Sequence, residues 1–388
     1  MKSLMKFVAL FVATFSISIV SAAPVIVPDA PRIEASSWIL IDATTGRVLT
    51  ENNADVRLPP ASLTKIMTSY IIANEIEAGR IAHTDEVPIS VTAWRMGGSK
   101  MFVREGTTVP LIELLKGLVI VSGNDATVAL AEYAAGSEGA FVDVMNQQAQ
   151  LLGMTNSHFE NSTGMPGEGH RTTARDLSVL AQRMILDHPE HYELYSERTY
   201  TYTPPGERPI RQSNRNLLLG RDPSVDGMKT GHTEEAGYCL VSSALRDDTR
   251  LIAVVMGTAS SNARATESAK LLQWGFRYFE TRDVLEANRI LETAEVWKST
   301  IDSVELTVPD TLAVTLTRGA FEELSYNAQI EDEIVAPLTA GDKVGFVEVI
   351  SDGEVVATSD IVVAADVPEA GFFKRLWDAI VMFFTGLF

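Results

Sequence analysis

The sequence is poor in cysteine and in basic residues. Its 388 residues contain one cysteine, Cys239, which excludes an internal disulfide framework. Lysine and arginine number 32 against 51 acidic residues, giving a formal net charge of −19. Because an acidic surface repels phosphate, a general nucleic-acid binder is excluded as well. The 46% hydrophobic content is enough for a core, and the length indicates one large domain plus a smaller one.

The first 23 residues have the pattern of a secretory signal peptide. Lys2 and Lys6 precede an apolar run over residues 7–20, and small residues up to Ala23 form a cleavage site. The run is shorter than the roughly 20 residues that a membrane-spanning helix needs, so a retained anchor is the second choice. Removal of the segment with its two lysines changes the net charge from −19 to −21.

Residues 369–388 are predicted to form an amphipathic membrane anchor. Drawn as a helix, the segment collects its aromatic and aliphatic residues on one half and Lys374, Arg375 and Asp378 on the other, with Met382 as an exception. Such a helix lies in a membrane surface, and the three charges argue against a span across it. A helix docked on the protein's own core is the alternative, but so many aromatic residues favour the membrane.

The chain between these ends is predicted to form two domains. In residues 31–283, helices lie between early and late strands, which suggests one sheet built from both ends of the domain. Residues 284–368 contain short β-rich runs and a hairpin turn at 351–354, and predict a small all-β domain. The elements predicted in the larger domain are strands at 37–42, 48–50, 238–244 and 251–256 and helices at 62–78, 111–118, 126–135, 141–152, 174–186 and 263–280.

A Ser-x-x-Lys motif after two prolines is the first candidate for chemistry. In Ser62-Leu63-Thr64-Lys65 the spacing places the hydroxyl and the amine on one helical face, at a helix start whose N–H groups can stabilise an oxyanion. A neutral Lys65 accepts the proton of Ser62, provided that its pKa is lowered. The motif alone is weak, because residues 3–6 also match it and a helix cap beside a solvated lysine explains it equally well.

Two more motifs strengthen the interpretation. Ser122-Gly123-Asn124 is a Ser-x-Asn, and Lys229-Thr230-Gly231 occurs once, directly before a predicted strand. The ordered set of three is the signature of penicillin-binding proteins and serine β-lactamases. With these motifs the chain resembles the low-molecular-mass D-alanyl-D-alanine carboxypeptidases, peptidase family S11. The similar segments include 53–57, 61–65, 122–126, 226–233, 236–238, 271–276 and 368–373.

The resemblance implies a fold and a reaction. The fold is an α/β (α+β) catalytic domain of the serine β-lactamase/transpeptidase type, with an antiparallel five-stranded sheet and flanking helices, followed by a β-rich stalk domain. The reaction removes the terminal D-alanine from peptidoglycan pentapeptides through an acyl-serine, without cofactor or metal, and β-lactams acylate the same serine. The enzyme is expected in the periplasm, on the outer face of the cytoplasmic membrane.

The resemblance also implies residue roles. Ser62 would attack the carbonyl between two D-alanines, Lys65 would be the general base, and Ser122 would relay a proton to the leaving amine. The implied substrate-binding residues are Asn124, Lys229, Thr230, Gly231, His232, Arg215 and Arg264. Asn124 would bond the substrate amide, and Lys229 would add the positive charge that keeps the base neutral. The two arginines would help the threonine to hold the terminal carboxylate, and the N–H of the histidine would share an oxyanion hole with that of the nucleophile.

Three other functions stay open. A serine β-lactamase needs a water-activating acid, for which Glu168 is the candidate, although it lacks the expected asparagine four residues on. A DD-endopeptidase would use the same residues on cross-linked peptides. A non-catalytic wall-binding scaffold is possible on any fold, but it has no need of the three motifs together.

Smaller features bear on the same region. Residues 95–102 carry one serine and a lysine where the family has two serines, which affects one rim of the cleft. Asp176 is either an acidic loop residue of the site or a helix N-cap. His188 and His191 lack the order and the third ligand of a metal site, so they are interpreted as solvated surface.

Overall fold

The computed structural model describes residues 26–385. The predicted signal peptide and residues 386–388 of the predicted anchor lie outside the described residues. The strands are β1 (Ser37–Asp42), β2 (Val48–Asn52), β3 (Glu86–Pro88), β4 (Thr108–Pro110), β5 (Thr199–Tyr202), β6 (Ile210–Ser213), β7 (Val225–Thr233), β8 (Gly237–Arg246), β9 (Thr249–Thr258), β10 (Phe279–Leu285), β11 (Glu292–Trp297), β12 (Ser303–Thr307), β13 (Leu312–Thr317), β14 (Ser325–Ile330), β15 (Ile334–Val335), β16 (Lys343–Ser351) and β17 (Glu354–Val363). The α-helices are α1 (Lys65–Glu77), α2 (Val91–Arg95), α3 (Leu111–Val119), α4 (Asn124–Ala135), α5 (Glu138–Leu151), α6 (Ala174–Asp187), α7 (Pro189–Tyr192), α8 (Ser261–Tyr278) and α9 (Phe372–Thr385).

A five-stranded antiparallel sheet joins the two ends of the larger domain, as predicted. Its strand order is β2-β1-β9-β8-β7. Side chains of β1 alternate between two cores: Ile39 and Ile41 face one, and Trp38 and Leu40 face the other. Both faces are covered by helices, which is why all six residues of β1 are buried and the strand reads as a nearly continuous apolar run.

Helix α1 lies inside the larger core. Every residue from Lys65 to Ala73 is buried, so this part of the helix has no side that faces solvent. A short 3-10 turn, Ala61–Thr64, precedes it and delivers the chain into the helix without a side-chain cap. The residues of the Ser-x-x-Lys motif therefore lie at the buried start of a central helix, a place where a solvated lysine is impossible.

The smaller domain is all-β. Its six-stranded sheet has the order β14-β16-β17-β12-β11-β15, and its core is separate from those of the larger domain. Strand β10 pairs with β13, so the predicted boundary at residues 283 and 284 falls inside β10. The two domains meet at buried Asp42, whose carboxylate accepts a hydrogen bond from the Thr281 hydroxyl at 2.6 Å. The Thr281 hydroxyl also bonds that of Thr315 at 2.9 Å.

The terminal helix α9 contacts the β-domain through its polar side. Asp378 is buried and accepts the backbone N–H of Lys298 at 2.7 Å, and Lys374 pairs with Asp302 at 2.9 Å. Within residues 26–385 no helix is both long and apolar enough to cross a membrane. The large apolar side chains exposed on α9 are those of Phe372, Phe373, Leu376, Trp377, Ile380, Phe383 and Phe384.

Three local predictions need correction. Lys229-Thr230-Gly231 lies within β7, not before a strand, because the buried lysine and the glycines hide the strand's apolar alternation. Asp176 is not a cap: Thr173 caps α6 and accepts the N–H of Asp176. The two histidines are not solvated, because both are buried and Nε2 of His191 bonds the Ser69 hydroxyl. As a consequence of this burial, the pKa of His191 is lowered to about 3. His188 is buried as well and contacts Asn74 and Glu77.

Candidate active site

The nucleophile candidate lies on a strained turn beside an edge strand. Ala61, just before Ser62, has a φ of 47°, in the left-handed region that non-glycine residues rarely adopt. Strand β7 is the last strand of its sheet and passes against this turn. A Cβ on Gly231 would lie 3.0 Å from the carbonyl oxygen of Pro60 and 3.2 Å from the Cβ of Ala61. The glycine therefore allows β7 to come this close to Ser62.

Lys65 is fully buried with three partners for its amine. Its Nζ lies 2.7 Å from Oδ1 of Asn124, 2.5 Å from the carbonyl oxygen of Thr163 and 3.2 Å from Oγ of Ser62. A neutral amine has two N–H groups and one lone pair. The two shorter contacts are to oxygens that can only accept, so the lone pair is left for the hydroxyl proton of Ser62.

Burial sets the charge of this amine. Desolvation, followed by the positive charge of Arg215, lowers the pKa of Lys65 to about 7, against the opposing effect of Asp125 and Glu138. Burial also lowers the pKa of Lys229, with the charge of Lys65 as the second cause. Arg215 is therefore a cation that helps to keep Lys65 neutral, and the same part that the resemblance assigns to Lys229 stays a prediction.

Ser122 reaches the site from the loop between α3 and α4. Its φ of 61° is in the left-handed region, so its backbone is strained as well. The hydroxyl accepts a hydrogen bond from Nζ of Lys229 at 2.9 Å, and this amine also donates to the carbonyl of Thr230 at 3.1 Å. Three distant stretches of chain therefore place two serine–lysine pairs next to each other.

A cavity of about 680 Å³ opens in front of these groups. It is lined by Ser62, Gly98, Ser99, Ser122, Arg215, Leu217, Thr230, Gly231, His232, Tyr238, Ser261 and Arg264. Seven of the ten residues proposed from the sequence are on this wall, and Lys65, Asn124 and Lys229 are buried behind it. Gly98 and Ser99 belong to the segment 95–102 that was predicted at one rim of the cleft. Sequence reasoning missed the wall residues Leu217 and Ser261, and Tyr238, whose ring centroid lies 3.9 Å from that of His232.

One wall of the cavity is cationic. The guanidinium of Arg264 donates to the carbonyl of Gly231 at 2.9 Å and lies over the ring of Tyr238, so it also supports β7. Arg215 is exposed and forms neither a hydrogen bond nor an ion pair with any residue from 26 to 385. Together with the hydroxyl of Thr230 it provides donors for a carboxylate.

The loop at 160–170 holds the carbonyl that Lys65 uses. The side-chain oxygen of Asn161 accepts the N–H groups of Thr163 at 3.2 Å and Gly164 at 2.8 Å, which fixes the bend. Gly164 has a φ of +85°, and a Cβ there would lie 1.8 Å from the carbonyl oxygen of Ala61. The loop therefore rests directly on the turn that carries the nucleophile.

Two other predicted residues are occupied by structural contacts. The amide of Asn124 accepts from Lys65 and donates to the carbonyl of Gly97 at 2.7 Å, so its predicted bond to the substrate stays a prediction. Asp176 is buried and accepts the N–H of Asn156 and the hydroxyl of Ser157, away from the cavity wall.

The unusual rim at residues 95–102 is organised by an acid that the sequence reasoning passed over. Asp125 is buried and accepts the N–H groups of Met101 at 2.8 Å and Phe102 at 2.7 Å. Lys100 bonds the carbonyl of Trp94, whereas Ser99 lines the cavity. Across the described residues, no group of three or more histidine, cysteine or acidic side chains is placed to hold a metal ion.

Comparisons with known proteins agree with this geometry. Residues 25–260 match the family of D-alanyl-D-alanine carboxypeptidase, peptidase S11, and residues 279–369 match the C-terminal domain of penicillin-binding protein 5. The D-alanyl-D-alanine carboxypeptidase DacA of Escherichia coli is 41% identical over 366 residues, which cover 92% of this chain and 90% of that protein.

Solved structures give the same result. Penicillin-binding protein 5 from Haemophilus influenzae superposes with a TM-score of 0.82 at 39% identity and covers 88% of this chain and 100% of its own. Penicillin-binding protein D2 from Listeria monocytogenes, in its ampicillin-bound form, gives a TM-score of 0.57 at 28% identity over 64% of this chain and 100% of its own.

The fold and the site define a serine enzyme of the penicillin-binding class. This chain belongs to the D-alanyl-D-alanine carboxypeptidase family, peptidase S11. The resemblance identified from the motifs and the predicted fold class are thereby confirmed.

Replacement of Gly164 by alanine tests whether the loop must lie this close to the nucleophile turn. Both Gly164→Ala and the control Gly153→Ala place alanine at a positive φ, which costs about 1–2 kcal/mol of unfolding free energy. A Cβ on Gly153 meets nothing within 4 Å, whereas one on Gly164 overlaps Ala61. We expect Gly164→Ala to lose about 1–3 kcal/mol more and to react with labelled penicillin at least tenfold more slowly. Urea unfolding measures the free energy of unfolding, and labelled penicillin measures the acylation rate. If the two variants give equal values, the loop does not need its close contact with the nucleophile turn.

Proposed function

We propose that this protein is a serine-type D-alanyl-D-alanine carboxypeptidase that removes the terminal D-alanine from peptidoglycan pentapeptides. The observation that carries the proposal is the position of Ser62 Oγ 3.2 Å from the buried amine of Lys65, in a cavity with a cationic far wall. The free carboxylate of a peptide end fits that wall, where Arg215 and Thr230 offer donors.

In the proposed reaction Ser62 Oγ attacks the carbonyl between the two D-alanines while its proton passes to Lys65 Nζ. The oxyanion accepts hydrogen bonds from the backbone N–H groups of Ser62 and His232. The C–N bond then breaks, and Ser122, held by Lys229, relays the proton from Lys65 Nζ to the leaving amine, so that Lys65 is neutral again. Water attacks the acyl-serine carbonyl, the bond to Oγ breaks, and the hydroxyl is restored. A β-lactam carbonyl reacts with Ser62 in the first step in the same way.

The β-lactamase alternative lacks support in the described residues. Glu168, the predicted water-activating acid, is exposed and is not among the residues that line the cavity. No other carboxylate lies on that wall. We expect slow deacylation of the penicilloyl-enzyme, because no carboxylate on this wall can activate water.

The function is tested by D-alanine release and by covalent labelling. We expect the wild-type chain to release D-alanine from a model pentapeptide and to be labelled by penicillin, with the label lasting minutes or longer. Ser62→Ala abolishes both, whereas Ser261→Ala, on the same cavity wall, keeps the label. Labelling of Ser62→Ala rules out this nucleophile, loss of label within milliseconds indicates a β-lactamase, and release only from cross-linked peptides indicates an endopeptidase.

The pH dependence of acylation tests the general base. Because Lys65 acts as the neutral amine and its pKa is about 7, the second-order acylation rate rises with pH up to about 7 and levels off above it. Measurement of the acylation rate with fluorescent penicillin between pH 5 and 9 shows this rise, which is the acid limb of the pH profile. Lys65→Arg carries a permanent charge and is expected to be inactive at every pH. A rate that is flat from pH 5 to 9 contradicts the assignment.

We also infer that the protein is exported and lies on the outer face of the cytoplasmic membrane through α9. The exposed side of α9 is apolar and rich in aromatic residues, and such a surface favours a lipid interface. Its two cations already face acids of the protein itself at the surface, Lys374 facing Asp302 and Arg375 facing Glu369. Attraction to anionic headgroups is therefore a small part of the binding.

Membrane release tests this anchor. We expect 1 M salt to release little of the protein from vesicles and detergent to release it completely, because apolar burial outweighs charge. Trp377→Glu, in the exposed apolar face, weakens binding at least tenfold, whereas the control Lys374→Gln binds as the wild type does. Flotation with vesicles of phosphatidylcholine and anionic phosphatidylglycerol measures both, because such vesicles would reveal a contribution of charge. Salt-sensitive binding, or loss of binding in Lys374→Gln, contradicts the proposal.

A further inference from the structure

His170 does not line the cavity, yet it touches the turn that carries the nucleophile. Its imidazole is buried, with 2% of its surface exposed. Nδ1 faces the backbone N–H of Glu160 at 3.1 Å, and a backbone N–H can only donate. Nδ1 is therefore unprotonated, so Nε2 carries the hydrogen and donates it to the hydroxyl of Thr64 at 2.8 Å.

The hydrogen bond continues into the motif. The hydroxyl of Thr64 donates to the carbonyl of Ala61 at 2.9 Å. Ala61 and Thr64 lie on either side of Ser62, and Ala61 is the residue with the strained φ. A chain of two hydrogen bonds thus connects the imidazole to both flanks of the nucleophile and supports a backbone conformation that is unfavourable by itself.

The same loop reaches the general base at its other end. The carbonyl of Thr163 accepts from Lys65 Nζ at 2.5 Å, and Asn161 holds the bend that includes Thr163 and Gly164. His170 closes this loop on the turn, so a displacement of the imidazole moves the Thr163 carbonyl relative to the amine.

We infer that His170 is a positioning residue that fixes the Thr163 carbonyl against Lys65 by closing the loop onto Thr64. The inference rests on the proposed function, since it explains how that site is held. His170 acts through other residues and does not touch the substrate cavity.

A neutral imidazole is required for this arrangement. The charged groups that face it are Glu160, which favours the cation, and His158, Arg171 and Lys65, which oppose it. Burial is the largest effect and lowers the pKa of His170 to about 4. A proton on Nδ1 would also meet the N–H of Glu160. The position therefore suits a neutral hydrogen-bond donor and excludes a permanent cation.

The pH profile of acylation separates positioning from simple packing. When the Thr163 carbonyl moves away, the ammonium form of Lys65 loses an acceptor, so its pKa falls further. We expect His170→Ala to shift the acid limb of the acylation rate downward by about 0.5–1 pH unit and to reduce the rate above the limb at least tenfold. His158→Ala replaces an exposed histidine just before the loop; this variant is the matched control and is expected to match the wild type in both respects.

Rescue and coupling complete the experiment. His170→Gln keeps an N–H donor within reach of Thr64 and is expected to restore the wild-type limb. Thr64→Val removes the hydroxyl at constant shape, and the double variant His170→Ala/Thr64→Val should react no more slowly than Thr64→Val by itself. Circular dichroism and thermal melting confirm that each variant is folded before its rate is measured.

Two results overturn the inference. If the acylation rate of His170→Ala falls by the same factor at every pH and its acid limb stays at the wild-type pH, His170 contributes only packing. Full additivity of the two substitutions shows that the hydrogen bond to Thr64 has no part in the effect. Failure of the proposed function differs from failure of this inference. If penicillin does not label the wild-type protein at Ser62, the proposed function is wrong, and this result is obtained before any His170 variant is compared.

Discussion

The exclusion of water from one lysine amine is the constraint on which the site depends. A lysine in water is a cation and cannot take a proton from serine, so Lys65 has to be buried before Ser62 can be activated. Burial of an amine is tolerated only when its hydrogen bonds are satisfied, and Asn124 and the carbonyl of Thr163 supply them. The start of α1 inside the core, the buried α4 and the loop at 160–170 all serve this single amine.

Strain is the second component of this design. Ala61 and Ser122 both have left-handed backbones, each of which costs about 1–3 kcal/mol. Ala61 is held by close packing of β7 at Gly231 and of the loop at Gly164, and the hydroxyl of Ser122 is held by the amine of Lys229. A large, well-packed domain is thus needed to hold a small number of unfavourable conformations beside each other.

Much of this could be predicted from sequence, and the limits have physical causes. Strand β1 was predicted with its observed ends because both of its faces are apolar, and residues of the three motifs come together beside one cavity. Strand β7 was missed because it borders the cavity and carries lysine and glycine at positions where a core strand has apolar residues such as valine. Buried polar side chains such as Asp125, His170 and His191 were missed because their partners come from distant segments, and no local spacing reports such pairs. The effect of Arg215 on Lys65 was not predicted either, because Arg215 lies outside the three motifs.

The way in which α9 sits on the β-domain has a mechanical consequence. A helix attached by a flexible hinge can roll about its own axis, but Asp378 is fixed to the backbone at Lys298, and its neighbour Lys374 is fixed to Asp302. The buried contact of Asp378 opposes such rolling, so the exposed face of α9 keeps its orientation relative to the β-domain. Whatever surface α9 rests on therefore sets the tilt of the β-domain, and through the buried junction at Asp42 and Thr281 it constrains the direction in which the cavity opens.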